Sequence, residues 1–151
     1  LPNEGFMKLG SEGKAVSYKE VENNLDSYTF PLLNNGYFKL VFQTPCFFKK
    51  GWLPKWIDEN YEGSLDNVKL KLISVCSSKP EYLGGFDIKK RKPKNSLFAI
   101  PSGSVYYFQV LENIEKKNIA ELFNGKSLSE FDKAKEGFGI VNFSSMQEIQ
   151  N

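Results

Sequence analysis

The chain has 151 residues, 40% hydrophobic and 25% charged, which suits one folded, soluble domain with a sizeable core. Its formal net charge is only +2, so a polyanionic partner must be argued from local clustering and not from overall charge. The absence of His removes the commonest general acid–base near neutral pH, excludes Ser-His-Asp and Cys-His constellations within this chain, and leaves two Cys unable to make the usual zinc sets.

The chain opens on Leu1-Pro2 without a Met, which reads as a fragment of a longer protein. No signal peptide is visible, and no run approaches the ~20 apolar residues of a membrane span. Residues 6–22 carry Gly10, Gly13 and an alternation through Lys14, Val16 and Tyr18, predicting a glycine bend that leads into an edge strand. Residues 23–35 are polar, with Pro31 and Asn34-Asn35, and read as a loop. Tyr37 to Thr44 is β-branched and aromatic and stops at Pro45, which predicts a central strand. From 51 to 62, the apolar positions Trp52, Leu53, Trp56 and Ile57 follow the spacing of one helical face, and Pro54 suits a first turn, so a helix is expected. Packing of both tryptophans on a sheet is weighed there against a partner-facing hot spot. A turn follows at 64–67.

Val68 to Cys76 begins with strict alternation and predicts a half-buried strand. Residues 77–96 lack periodicity, carry Pro80, Gly84, Gly85 and Pro93, and become basic. A connection of this length inside a compact domain is more often functional than idle. Leu97 to Ile100 is a short apolar run closed by Pro101-Ser102-Gly103, and Ser104 to Leu111 predicts a strong strand. Asn118 to Glu121 resembles a capping box opening a short helix that stops at Gly125, with a further helical turn or two expected over 127–135. Gly137 to Phe143 reads as a glycine-led last strand, and the tail from 144 is polar. The order strand, helix, strand, strand, helix, strand is that of an α+β, ferredoxin-like (RRM-like) domain. It implies an antiparallel sheet, two helices, Gly-rich loops and one extra N-terminal strand.

Several residue groups bear on chemistry. Cys46 and Cys76 sit in apolar runs and read as two reduced core thiols rather than a disulfide. Tyr106, Tyr107 and Phe108 invite comparison with base-stacking aromatics, yet a continuous apolar strand favours a core role. Asp58-Glu59, Asp66 and Asp87 are scattered, so neither a carboxylate pair nor a metal cluster stands out, and no catalytic residue, metal or cofactor is expected. In 89–94, five of six residues are Lys or Arg: Lys89, Lys90, Arg91, Lys92 and Lys94. Such a run tracks phosphates or is a solvated loop. Gly84 and Gly85 beside it permit close approach of a ligand. Gly10, Gly13, Gly137 and Gly139 either offer backbone N–H groups to phosphate and sugar oxygens or serve tight turns.

Four segments carry a resemblance. Gly10-Ser11-Glu12-Gly13-Lys14-Ala15 resembles the "GGEGR" element of the RAMP superfamily, with Ser for Gly and Lys for Arg. Leu83-Gly84-Gly85-Phe86-Asp87 followed by Lys89 to Lys94 is similar to its "GGWD…KGRPK" loop. Ile100 to Phe108 is similar to its "PAGSVYYF" strand, and Gly137-Phe138-Gly139-Ile140 to its terminal "GxG" motif. In order and together, they resemble the third-subunit family of the type III-B (Cmr) CRISPR effector complex, over its C-terminal half.

That resemblance implies a prokaryotic cytoplasmic protein of antiviral defence and a single C-terminal RAMP domain of a two-domain protein. It implies RNA binding without catalysis. The 5′ tag region of the CRISPR RNA would be held by Gly10, Gly13, Lys14, Gly84, Gly85, Lys89, Lys90, Arg91, Lys92, Gly137 and Gly139. The expected partners are that RNA, the large polymerase-like subunit and the other RAMP subunits, with no membrane and no small-molecule substrate. Two rivals stand beside it: a RAMP endoribonuclease processing repeat RNA, and a protein scaffold without RNA contact.

Overall fold

Alternation decides the centre of the molecule. In the strand Tyr37–Phe42 (β3), Phe38, Leu40 and Phe42 are buried and their neighbours are half-buried; Tyr106 and Phe108 do the same in Val105–Val110 (β10). A computed structural model describes residues 2–9, 13–21, 36–111 and 116–146. β3 and β10 lie at the middle of a five-stranded antiparallel sheet with Glu62–Leu65 (β4), Val68–Cys76 (β5) and Val141–Ser145 (β11), in the order β11-β3-β10-β5-β4. Neighbours being antiparallel, β3 and β5 run the same way with β10 between them, and β10 and β11 run the same way with β3 between them.

One face of this sheet carries the core. Phe38 packs against Phe108, Phe123 and Phe143 at ring separations of 5.5, 5.6 and 5.3 Å. Phe42 meets Tyr106 edge-on at 5.1 Å, and the Tyr106 hydroxyl donates to the Trp52 carbonyl at 2.6 Å, so its buried polar tip is satisfied. The helix Lys116–Phe123 (α1) lays Ile119, Ala120 and Phe123 on the same face. It starts before the expected Asn118.

The expected fold class holds in its antiparallel sheet but not in its helices. Sheet dominates, and α1 is the one α-helix among the described residues. The helix expected over 51–62 is instead a run of turns with isolated bridges Phe48↔Gly51, Lys50↔Leu53 and Ile57↔Gly63. Its physical cause is local. Gly51 sits at φ 76°, and the Ile57 N–H bonds Pro54 O, the bond of a four-residue turn and not the i→i−4 bond of an α-helix. The Glu130 carboxylate takes the N–H of Lys49 at 2.8 Å and of Lys55 at 2.9 Å, supplying from outside what a helix would supply from within. Any side chain at Gly63 would strike the Trp56 carbonyl, so the loop closes directly onto β4. The helical spacing therefore reports that Leu53, Trp56 and Ile57 turn toward the core, not a helix. Trp56 stacks on Phe108 at 5.7 Å, whereas Trp52 is 48% exposed and stacks on Tyr61.

Other departures follow from turn chemistry. Asp66 and Asn67, at φ 46° and 67°, form a two-residue turn joining β4 to β5, so the expected turn at 64–67 is half strand. At 127–135 the chain makes a strap and one short 3-10 turn, Lys133–Glu136. The last strand starts at Val141, after a turn through Gly137 and Gly139. N-terminally, Glu4–Leu9 (β1) and Lys14–Lys19 (β2) pair as a hairpin of their own and do not extend the sheet, so the single extra strand becomes two. Cys46 is buried at the core, but Cys76 is exposed, which corrects the expectation of two core thiols; both are free. No helix among the described residues is long and apolar enough to cross a membrane.

Candidate nucleic-acid interface

The connection 77–96 is an organised arm. Glu81–Leu83 (β6) pairs with Leu97–Ala99 (β9), and Phe86–Asp87 (β7) pairs with Lys92–Pro93 (β8). Between Leu83↔Leu97 and Phe86↔Pro93 stand two residues on one strand, 84–85, and three on the other, 94–96, so the arm carries a bulge. The Lys94 N–H on Gly85 O at 2.8 Å carries the pairing through it. At the tip, the Asp87 carboxylate accepts the Lys90 N–H at 3.0 Å, and Arg91 adopts φ 49° to turn the chain back. Lys89, Lys90, Arg91, Lys92 and Lys94 are all exposed. The four cations of the narrow tip, with Lys94 at the bulge, create a local positive field that the net charge of +2 conceals.

The root of the arm is fixed in the core. Cys46 and Ile100 exchange backbone hydrogen bonds at 2.8 and 2.7 Å, and Ala99 is fully buried. Buried Ser104 bonds Pro101 O at 2.7 Å, and its hydroxyl lies 2.9 Å from that of Ser77 across the root. Gly103 turns there at φ 80°. The segment 100–108 thus forms the foot of the arm and the central strand together. Tyr106 and Phe108 are core, as their apolar strand implies, while Tyr107 faces the other side of the sheet.

Gly84 and Gly85 need no positive φ, and a Cβ on either meets only movable side-chain atoms: the Ser96 hydroxyl at 3.0 Å or Lys94 Cδ at 3.6 Å. The fold does not demand glycine at these two positions. Gly139 is different. At φ 77° it is buried, and a Cβ would stand 2.6 Å from Ser129 N. Its N–H donates to Pro45 O and its carbonyl accepts from Leu128 N, so this glycine lets three chain segments cross. Gly137, at φ 83°, caps the 3-10 turn with its N–H on Ala134 O at 3.1 Å and lies exposed at the surface.

Lys133 dominates the electrostatics of this turn. The Glu136 carboxyl is held below its usual range mainly by hydrogen bonds from Lys133, with the Lys94 ammonium adding to the lowering. Lys133 also lies 5.8 Å from the rings of both Phe47 and Phe138. Of the arm's cations, only Lys94 is felt at this turn, as the smallest of the causes acting on Glu136. Gly13, at φ 71°, and Lys14 belong to the separate β1–β2 hairpin, and Gly10 lies outside the described residues.

The residues that reasoning from sequence missed are Lys133 and the arm's aromatic pair. Tyr82 and Phe98 stand opposite each other with ring centroids 4.2 Å apart, both largely exposed. Their near-equal distance from the turn at 88–91 was the available signal. Among the described residues, no three of His, Cys, Asp or Glu stand close enough together to hold a metal ion.

A protein-family model described as CRISPR-associated protein (Cas_Cmr3) matches residues 1–140 of this chain. A comparison with curated proteins finds no match.

Proposed function

Since the chain belongs to the CRISPR-associated Cas_Cmr3 family, whose place is in the multi-subunit type III-B (Cmr) complex of CRISPR defence, we propose that it is a non-catalytic RNA-binding and assembly subunit of that complex. The arm tip Lys89, Lys90, Arg91, Lys92 with Gly84 and Gly85, together with the exposed turn at Gly137, holds the 5′ tag region of the CRISPR RNA, while buried Gly139 shapes that turn. Gly10, Gly13 and Lys14 belong to the same reading through the family's glycine element. The carrying observation is an arm whose tip exposes Lys89, Lys90, Arg91 and Lys92, with exposed Lys94 at its bulge, on a root fixed in the core. Phosphate binding at such a tip releases condensed counterions and needs no net positive charge elsewhere.

We also read the strand order as a split β-α-β domain, ferredoxin-like in descent, whose first helix is replaced by the loop 43–61 tied to Glu130. It is one half of a two-domain RAMP protein of the prokaryotic cytoplasm and docks on the large polymerase-like subunit and on other RAMP subunits. The non-catalytic part of the reading rests on a chain without His and on dispersed carboxylates.

RNA binding across a salt series, with and without the 5′ tag, tests this. Charge reversal at Lys90, Arg91 and Lys92 is expected to weaken binding and flatten its salt dependence, with a slope change of about 0.7 for each single-strand phosphate that is no longer neutralised. Unchanged binding would remove the arm from the site. Site-specific cleavage of repeat RNA would replace this reading with the endonuclease one.

A further inference from the structure

One backbone edge of β5 is open. β4 covers β5 only from Leu65↔Val68 to Glu62↔Lys71, after which Leu72 N–H donates to Tyr61 O at 2.8 Å. There the chain turns away. Tyr61 sits at φ 62°, and the Asp58 carboxylate holds the N–H groups of Asn60 and Glu62 at 2.8 and 3.0 Å. From Ile73 to Cys76, β5 has β10 on one side and, among the described residues, no strand on the other. A row of unpaired N–H and C=O groups is a template for an additional strand, and proteins ordinarily blunt or cover it.

The same stretch lies along an apolar cleft of about 680 Å³. Ile73, Val75, Trp52, Tyr61 and Phe98 line it, and four of them expose about half their surface: Trp52 48%, Tyr61 47%, Ile73 47% and Phe98 54%. Ile73 is thrown out of register, since Tyr107 pairs with Ser74 and Phe108 with Leu72; a bulge of this kind re-aims a side chain. Large apolar side chains clustered at an open strand edge are the two halves of a strand-addition site. The backbone supplies hydrogen bonds, and the cleft takes alternate side chains of the incoming segment.

Size and charge say what fits. An edge of four residues spans roughly 14 Å, which suits a short extended segment and not the flat face of a second globular domain. The two ends of the edge differ in sign. Asp58 and Glu59 are exposed beside Tyr61, and Lys79 is exposed just past Cys76. We propose that the Ile73–Cys76 edge of β5 takes up an extended segment of a neighbouring protein as an added strand. That segment has apolar side chains at alternate positions, a basic residue at the end facing Asp58 and Glu59, and an acidic residue at the end facing Lys79. This inference stands apart from the RNA reading of the arm tip and does not depend on it.

The probe is an end-capped peptide, Asp-Val-Thr-Val-Thr-Val-Lys, added to this chain, with backbone amide exchange of residues 73–76 followed by mass spectrometry. Binding is expected to slow exchange at those amides of the stretch that face away from β10. Two further peptides, N-methylated at alternate residues in one register or the other, separate hydrogen bonding from greasiness. One register should lose affinity at least about tenfold, and the other, whose N–H groups face away from β5, should keep most of it. Ile73→Lys, an exposed position whose folding is checked by thermal unfolding, should lose affinity by a similar factor. Equal binding of both N-methylated peptides, or no exchange protection by any peptide, would overturn the proposal. So would occupation of the cleft by oligouridylate in place of the peptide, or self-association of the chain through this edge.

Discussion

The sheet around Phe38 and the arm that ends at Lys90 are both antiparallel β-structure, but different forces maintain them. Along β3, and from Val68 to Leu72 in β5, alternate side chains are buried, and Phe38 packs on Phe108, Phe143 and, from α1, Phe123. In the arm, β7 and β8 consist of exposed or half-buried residues, and the tip devotes its side chains to charge. Only the root of the arm, through Ala99, Ile100 and Ser104, belongs to the core. Substitutions in the sheet should therefore be read in stability and substitutions at the tip in binding. A protein that must present a charged loop at a fixed place needs this division.

Phe38→Ala puts the division under the greatest load. It empties the centre of the aromatic cluster and is expected to cost about 3–5 kcal/mol, measured by denaturant unfolding. Glu130→Ala comes next, at about 1–3 kcal/mol, because the N–H groups of Lys49 and Lys55 lose a charged acceptor and the loop that stands in for a helix loosens. Gly139→Ala is expected to cost at least about 1–2 kcal/mol from its left-handed backbone alone, with the approach to Ser129 adding to it. Gly84→Ala, free of both constraints, should leave stability nearly unchanged. Equal costs for the two glycine variants would contradict the distinction drawn between them.

A pH series probes the same division from within the core. Burial pushes the Cys46 thiol from 9.0 up to about 12, against the lowering hydrogen bond from Ser129. Tyr106 is pushed up too, first by burial and then by Cys46. A raised acid pKa means that the unfolded chain gives up its proton first. The stability these groups share is whole below about pH 9 and declines as pH rises from there, by up to about 1.4 kcal/mol per unit for each proton. Cys46→Ala should flatten that decline, and a slope that persists unchanged would assign it to other groups. Thiol labelling of the native protein should modify exposed Cys76 and spare buried Cys46. Smallest of all in stability is the triple charge reversal at Lys90, Arg91 and Lys92, expected to stay within about 0.5 kcal/mol of the parent.

What the sequence made legible follows from how local each cause is. The strands β3, β5 and β10 were readable because alternation and β-branched or aromatic composition act within a few residues. The false helix at 51–62 arises because the carboxylate that organises the loop stands at Glu130, 75 residues beyond the Lys55 N–H it binds. β4 was hidden by its brevity and by Gly63, whose role appears only when Trp56 is seen against it. The basic run and the glycine pair at 84–85 were visible as composition. The bulge that sets the arm's pairing was not, since it shows only in the registers Leu83↔Leu97 and Phe86↔Pro93. Gly137 and Gly139 looked equivalent, and only the crossing of Ser129 and Pro45 separates them.

If the arm tip is an RNA-binding element mounted on a core that does not depend on it, binding and stability must separate in one experiment. Tagged and untagged guide RNA would be titrated into the parent chain and into the Lys90, Arg91, Lys92 charge-reversed variant, at several salt concentrations, with unfolding followed in parallel. The expected result is tag-dependent binding by the parent, a weaker and less salt-sensitive interaction by the variant, and the same unfolding curve for both. Binding without tag preference, or equal binding by the variant, would refute the RNA role of the tip and leave the arm as a surface loop of a protein scaffold.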